Sequence, residues 1–132
     1  MDKVFLDANV LFSAAYRSDS RLLDLWSLAE TELVTSVFAL EEVRHNLSAH
    51  RPQALARLDR LTESLTIVEG LLASTPADIE LAEKDLPILA AAISASCSHL
   101  ITGDNRHFGA LYGHCIQGVL ILTPAQYLKS RA

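Results

Sequence analysis

Cysteine, lysine and long apolar runs are all scarce in this sequence, and each shortage closes off a class of protein. Two cysteines in 132 residues, Cys97 and Cys115, stand outside any CxxC motif and are too few for a disulfide-built scaffold. They are expected as buried free thiols in a reducing cytosol. No apolar run approaches the roughly eighteen residues of a membrane-spanning helix. The amino terminus offers only Val4, Phe5 and Leu6 between charged residues, too little for a signal peptide. A soluble cytoplasmic protein with no membrane partner is therefore expected. Basic charge is also short: 11 Lys and Arg face 16 Asp and Glu, a formal net charge of −5. That balance argues against a general nucleic-acid-binding surface, so any polyanion must be held locally or through a metal ion. The five histidines show neither HExxH nor cysteine-paired spacing, which removes the zinc motifs. Internal repeats, low-complexity tracts and interdomain linkers are absent too.

What is present is a regular alternation. Half of the residues are apolar, and the length suits one domain spanning residues 1–132. Short apolar or β-branched runs predict strands at Val4–Leu6, Leu33–Ser36, Leu65–Val68, Leu100–Thr102 and Val119–Leu122. Segments of helical period lie between them, the pattern of βαβ units on a parallel sheet. Leu22, Leu23, Leu25, Trp26 and Ala29 share one face of an amphipathic stretch. Helices are expected over Val37–Leu47 and Ala54–Leu61 with a break at Arg51-Pro52, from Thr75-Pro76 onward, and over the buried-looking Leu86–Cys97.

Four acids stand out against this frame. Asp7 and Asp104 follow the first and fourth predicted strands, at the sheet edge where open α/β folds bind ligands. Asp85 opens a helix, and Glu42 rides one. Each has a plainer reading: Asp7 and Asp85 as helix N-caps, Asp104 as a turn residue, Glu42 as a surface glutamate beside Glu41. Gathered together without a cation, however, four carboxylates would repel one another by several kcal/mol. A hard divalent ion resolves that conflict. Two phosphoryl-transfer alternatives lack residues they need. A receiver-like domain requires a lysine after a late strand, and the lysines here are Lys3, Lys84 and Lys129. A haloacid-dehalogenase-type phosphatase requires a second aspartate two residues beyond Asp7, where Asn9 stands.

The phrases Phe5-Leu6-Asp7-Ala8-Asn9-Val10-Leu11, Thr35-Ser36 with Leu40-Glu41-Glu42-Val43, Lys84-Asp85-Leu86-Pro87-Ile88-Leu89-Ala90-Ala91-Ala92, and Leu100-Ile101-Thr102-Gly103-Asp104-Asn105-Arg106-His107-Phe108 occur in that order. Together they resemble the PIN-domain family, in particular its small bacterial single-domain members that serve as toxins of toxin–antitoxin pairs. The resemblance implies a PIN-like (Rossmann-like) three-layer α/β/α fold with a parallel sheet of about five strands. It also implies cleavage of single-stranded RNA with Mg2+ or Mn2+, an antitoxin protein as partner, and a homodimer. Asp7, Glu42, Asp85 and Asp104 match the family's catalytic and metal-binding acids, and Asn9, Ser36 and Thr102 its supporting polar positions. Ala8 departs from a common threonine, and His107 lies close to where some relatives carry a further acid. Glu42 is preferred to Glu41 because it directly precedes the apolar Val43, and one helical step of about 100° turns only one of the pair inward.

Between Arg44 and Arg60 the balance reverses: Arg44, Arg51, Arg57 and Arg60 face a single acid, Asp59. The segment is either a solvated helical hairpin or a basic arm for RNA phosphates or an acidic partner, since arginine's fork suits both. The competing reading of the whole chain is a catalytically inactive scaffold that binds RNA or an antitoxin.

Overall fold

The computed structural model describes residues 1–69 and 85–131; the helix start expected at Thr75-Pro76 lies outside them. Among the described residues six strands form one sheet: β1 (Asp2–Leu6), β2 (Thr31–Ser36), β3 (Thr66–Val68), β4 (His99–Ile101), β5 (Cys115–Ile116) and β6 (Val119–Leu122), in the order β3-β2-β1-β4-β6-β5. All neighbours are parallel except the β5–β6 pair. Consecutive residues Val4, Phe5 and Leu6 are wholly buried, so β1 is covered on both faces, as parallel strands between helical layers must be. The five predicted strands are all present. The sixth, β5, was not expected: two residues are too short to register as a pattern. It pairs through a hairpin in which Gln117 (φ 47°) and Gly118 (φ 86°) are both left-handed, the backbone a two-residue hairpin turn requires.

The chain order places the site. From β1 it steps outward to β2 and β3, then returns to the other flank of β1 as β4. The switch in direction therefore falls between β1 and β4, where a doubly wound sheet opens a crevice at its carboxyl edge. Register sets Leu6 beside Ile101, and the Asp7 N–H donates to the Ile101 carbonyl at 3.0 Å. Asp7 and Thr102 thus leave the sheet side by side.

Helices flank the sheet. α1 (Ala8–Tyr16) packs against α2 (Val37–His50) and α3 (Leu55–Thr62). α2 stops at Arg51, because Pro52 disfavours helical backbone before it and instead opens a short 3-10 turn into α3. The small residues of α4 (Leu86–Ser94) let it lie close on β2 and β4, with Ile88 through Ala92 buried. It ends three residues earlier than expected, and Ser96 at φ 56° turns the chain into β4. The amphipathic stretch after α1 is a 3-10 helix, Arg21–Ser27. Its Leu25 is buried, and the Trp26 indole donates to the Leu61 carbonyl at 3.1 Å. The remaining helices are α5 (Asn105–Phe108) and α6 (Pro124–Ser130), the latter opened by a reciprocal capping box between Thr123 and Gln126. No helix among the described residues is long and apolar enough to cross a membrane.

Candidate active site

Asp7 occupies the first turn after β1 and is 5% exposed. One carboxylate oxygen, Oδ1, accepts the Ala8 N–H at 2.7 Å, which is the expected role at a helix start. The other, Oδ2, accepts the Thr102 hydroxyl at 2.8 Å and the Asn9 amide at 3.1 Å, from different segments. Asn9 also donates to Thr102 Oγ1 at 3.1 Å and accepts the Gly103 N–H on Oδ1 at 2.7 Å. Thr102 Oγ1 in turn accepts the Asp104 N–H at 3.1 Å. The polar pair Asn9 and Thr102 thereby locks the β1 and β4 ends together and fixes the Asp7 rotamer. Gly103 suits that proximity: a Cβ there would lie 3.2 Å from Asn9 Oδ1, a tight contact that Asn9 would have to relieve by shifting.

Burial pushes the Asp7 carboxyl up to about 6, opposed by the hydrogen bonds from Thr102 and Ala8 and reinforced by the negative charges of Asp85 and Glu42. Capping and hydrogen bonding would favour the charged form, so desolvation and neighbouring acids outweigh them here.

Asp85 is 7% exposed and stands at the N-cap position of α4, yet its side chain makes no capping hydrogen bond. The capping explanation available from sequence is therefore not the one realised. Its Oδ2 lies 2.8 Å from Nδ1 of His107. Asp104 does cap α5, accepting the His107 N–H on Oδ1 at 3.2 Å, while its Oδ2 also lies 2.8 Å from His107 Nδ1. Two acids from opposite ends of α4 and β4 thus converge on one imidazole. Carboxylate and imidazole donor atoms of Asp85, Asp104 and His107 fall within 4.8 Å of one another, close enough to hold one metal ion. Tyr112 closes the rim by donating its hydroxyl to the Thr102 carbonyl at 2.9 Å. Burial, with the charges of Asp104 and Asp7, raises its phenol above the usual value.

Glu42 is exposed, but on the face of α2 that lines a cleft of about 340 Å3 with Ala8, Asn9, Phe12, Ser13, Asn46 and His50. Glu41 is not part of that lining. Together with its electrostatic effect on Asp7, this places Glu42 at the mouth of the acidic site. A larger hollow of about 420 Å3 shares Phe12 and Ser13 but runs away from the acids toward Arg17 and Arg21.

Not every expected residue joins them. Ser36 is buried and uses its Oγ to accept the Ala39 N–H at 3.1 Å, capping α2. Of the basic segment, Arg51 donates to the Tyr16 carbonyl at 2.9 Å with its guanidinium 4.2 Å over the Tyr16 ring, and Arg57 donates to the Ala15 carbonyl at 2.6 Å. Both satisfy carbonyls in the last turn of α1, where cations are favoured. Arg44 pairs with Asp59 at 2.8 Å on the surface, and Arg60 is exposed. His107 stood out in sequence only as a departure from an acid, and Tyr112 carried no signal at all.

A buried acid, two further acids on a histidine and a glutamate at the cleft mouth gather at the switch point of the parallel sheet and form an acidic pocket there. A PIN-domain family model matches residues 3–106, and the chain belongs to that family. Among solved structures it is similar to VapBC2 from Rickettsia felis bound to a promoter DNA fragment (TM-score 0.66, 19% identity, covering 92% of this chain and 98% of that one). It is also similar to Mycobacterium tuberculosis VapC20, described as a Sarcin-Ricin loop cleaving toxin (TM-score 0.59, 16% identity, 81% and 94% covered), and to FitAcB from Neisseria gonorrhoeae (TM-score 0.58, 20% identity, 92% and 98% covered). No curated protein sequence matches the chain.

Proposed function

We propose that this protein is a metal-dependent endoribonuclease that cleaves single-stranded RNA phosphodiesters and acts in the cytoplasm as the toxin of a toxin–antitoxin pair. The observation that carries the reading is the convergence of Asp7, Asp85 and Asp104, with Glu42 at the cleft mouth, from segments far apart in sequence. Family membership supports it, as does likeness to solved VapBC and FitAB assemblies and to a toxin described as cleaving the Sarcin-Ricin loop.

The donor chemistry fits Mg2+ or Mn2+: carboxylates gathered at one sheet edge, one of them raised by burial and neighbouring charge and two set against an imidazole. Asp7, Asp85 and Asp104 would hold the ion, with Glu42 reaching in from the cleft mouth. When bound, a divalent ion supplies activation of a water nucleophile and neutralises charge on the attacked phosphate.

The chain's own residues do the rest. Thr102 and Asn9 occupy Asp7 Oδ2 and hold its carboxylate in one orientation, so little reorganisation is needed when substrate arrives. Asp104 is anchored by its own helix cap. The cleft beside Asn9 and Glu42 gives an RNA strand a route to the acids, lined on its far side by Asn46 and His50. Arg44 and Arg60, the two arginines of the basic segment not tied to α1, are left to meet a phosphate backbone or an acidic antitoxin. Assembly as a homodimer belongs to the same reading.

Incubation of the purified protein with mixed single-stranded RNA and Mg2+ or Mn2+ tests it: cleavage that stops with chelator and in Asp7→Asn is expected. Cleavage unaffected by both would reject the site. RNA binding without metal-dependent cleavage would favour the inactive scaffold.

A further inference from the structure

We propose that His107 is a metal ligand through Nδ1, so that the centre is a mixed carboxylate–imidazole site selecting Mn2+ over Mg2+. The inference rests on the metal-dependent reading above and makes that reading more specific. Nδ1 lies 2.8 Å from Asp85 Oδ2 and 2.8 Å from Asp104 Oδ2. An imidazole nitrogen carries one proton or one lone pair, so Nδ1 can make at most one linear hydrogen bond to the two carboxylates that approach it equally closely. In fact His107 Nδ1 makes no hydrogen bond of acceptable geometry among the described residues, although it is shielded from solvent. With donor atoms of Asp85, Asp104 and His107 within 4.8 Å of one another, one ion between them would use all three electron pairs. Neighbouring oxygen or nitrogen ligands on an octahedral ion with bonds of about 2.1 Å are about 3 Å apart, close to the two 2.8 Å separations from Nδ1.

Position supports the role. His107 lies one helical turn beyond Asp104 on α5, and Asp104 accepts the His107 backbone N–H, so the ligand pair is braced by the helix start. Magnesium takes oxygen ligands almost exclusively and sheds water reluctantly, whereas imidazole raises affinity for later divalent ions. A histidine rather than a third carboxylate beside Asp85 and Asp104 therefore favours a different ion, and it makes the ligand set one charge less negative.

The test is direct metal binding, independent of cleavage. Metal-free full-length protein is titrated with Mn2+ by electron paramagnetic resonance, then with Mg2+ by competition against bound Mn2+. Wild type is expected to hold Mn2+ at least about tenfold more tightly than Mg2+, and His107→Ala to lose about tenfold or more in Mn2+ affinity with little change for Mg2+. His107→Asp, which offers oxygen in place of nitrogen, should move preference back toward Mg2+. Circular dichroism confirms that each variant is folded. Mn2+ binding that is unchanged in His107→Ala overturns the ligand role while leaving the acidic centre standing. Tighter binding overturns it too, showing the imidazole to be a competing cation. If folded wild type binds neither ion, the metal-dependent reading itself falls.

Discussion

At the scale of single residues, Asp7 is where stability and function oppose each other. Its carboxyl titrates near 6 in the native protein against 3.8 in an unfolded chain, so the native state binds the extra proton between those values. Stability of the metal-free protein accordingly falls as pH rises through that window and stays lower above it. Asp7→Asn removes the buried charge. It is expected to abolish RNA cleavage yet raise metal-free stability at neutral pH by on the order of 1–3 kcal/mol, with the difference closing toward pH 4. Denaturant unfolding of both proteins at two pH values checks this; equal stability at neutral pH would show that the acid is not strained. Gly103→Ala presses a methyl group on Asn9 at 3.2 Å and should disturb the Asp7 rotamer. Reduced cleavage with nearly unchanged thermal stability is the expected result.

At the scale of single elements, polar side chains are divided between helix ends and the open surface. Ser36 caps α2 through the Ala39 N–H, so Ser36→Ala should cost about 1 kcal/mol of stability while leaving divalent-ion affinity intact. A fall in ion affinity would instead return Ser36 to the site. Within the basic segment the same division applies. Arg51 and Arg57 hold the carboxyl end of α1, and their loss should destabilise the fold. Arg44 and Arg60 are exposed, and Arg44 has only a surface ion pair, which contributes little to stability. Charge removal at these two should leave the melting temperature almost unchanged but flatten the salt dependence of RNA binding. An unchanged salt slope, measured by filter binding, would remove them from the interface.

Across the whole molecule, the two chain ends are joined at the sheet edge opposite the acidic site. Asp2 Oδ2 accepts the Tyr127 hydroxyl at 2.7 Å and Arg131 Nη1 at 3.1 Å, tying α6 to β1. The Tyr127 hydroxyl, then Arg131 and the nearby His99 charge, hold the Asp2 carboxyl below its usual range despite some burial, so its contribution is present above 3.8 and lost as pH falls through the lowered native value. Asp2→Asn should therefore narrow the stability difference between neutral and strongly acidic solution, with RNA cleavage retained. Cleavage lost together with stability would show that the sheet transmits strain from that edge to the acids.

Apolar runs set the five main strands, because burial on both faces of a parallel sheet demands continuous hydrophobic segments, and this is written locally. Proline marked the α2–α3 break for the same local reason. The acids at the ends of β1 and β4 were legible because strand ends point to one edge whatever the details of packing. Three things were decided only by tertiary structure: that Asp85 lies against His107 and makes no side-chain cap, that Ser36 caps α2, and that Arg51 and Arg57 fold inward onto α1. Each depends on a partner supplied by a remote segment, and a side chain's choice among partners is made by distances that no local pattern contains.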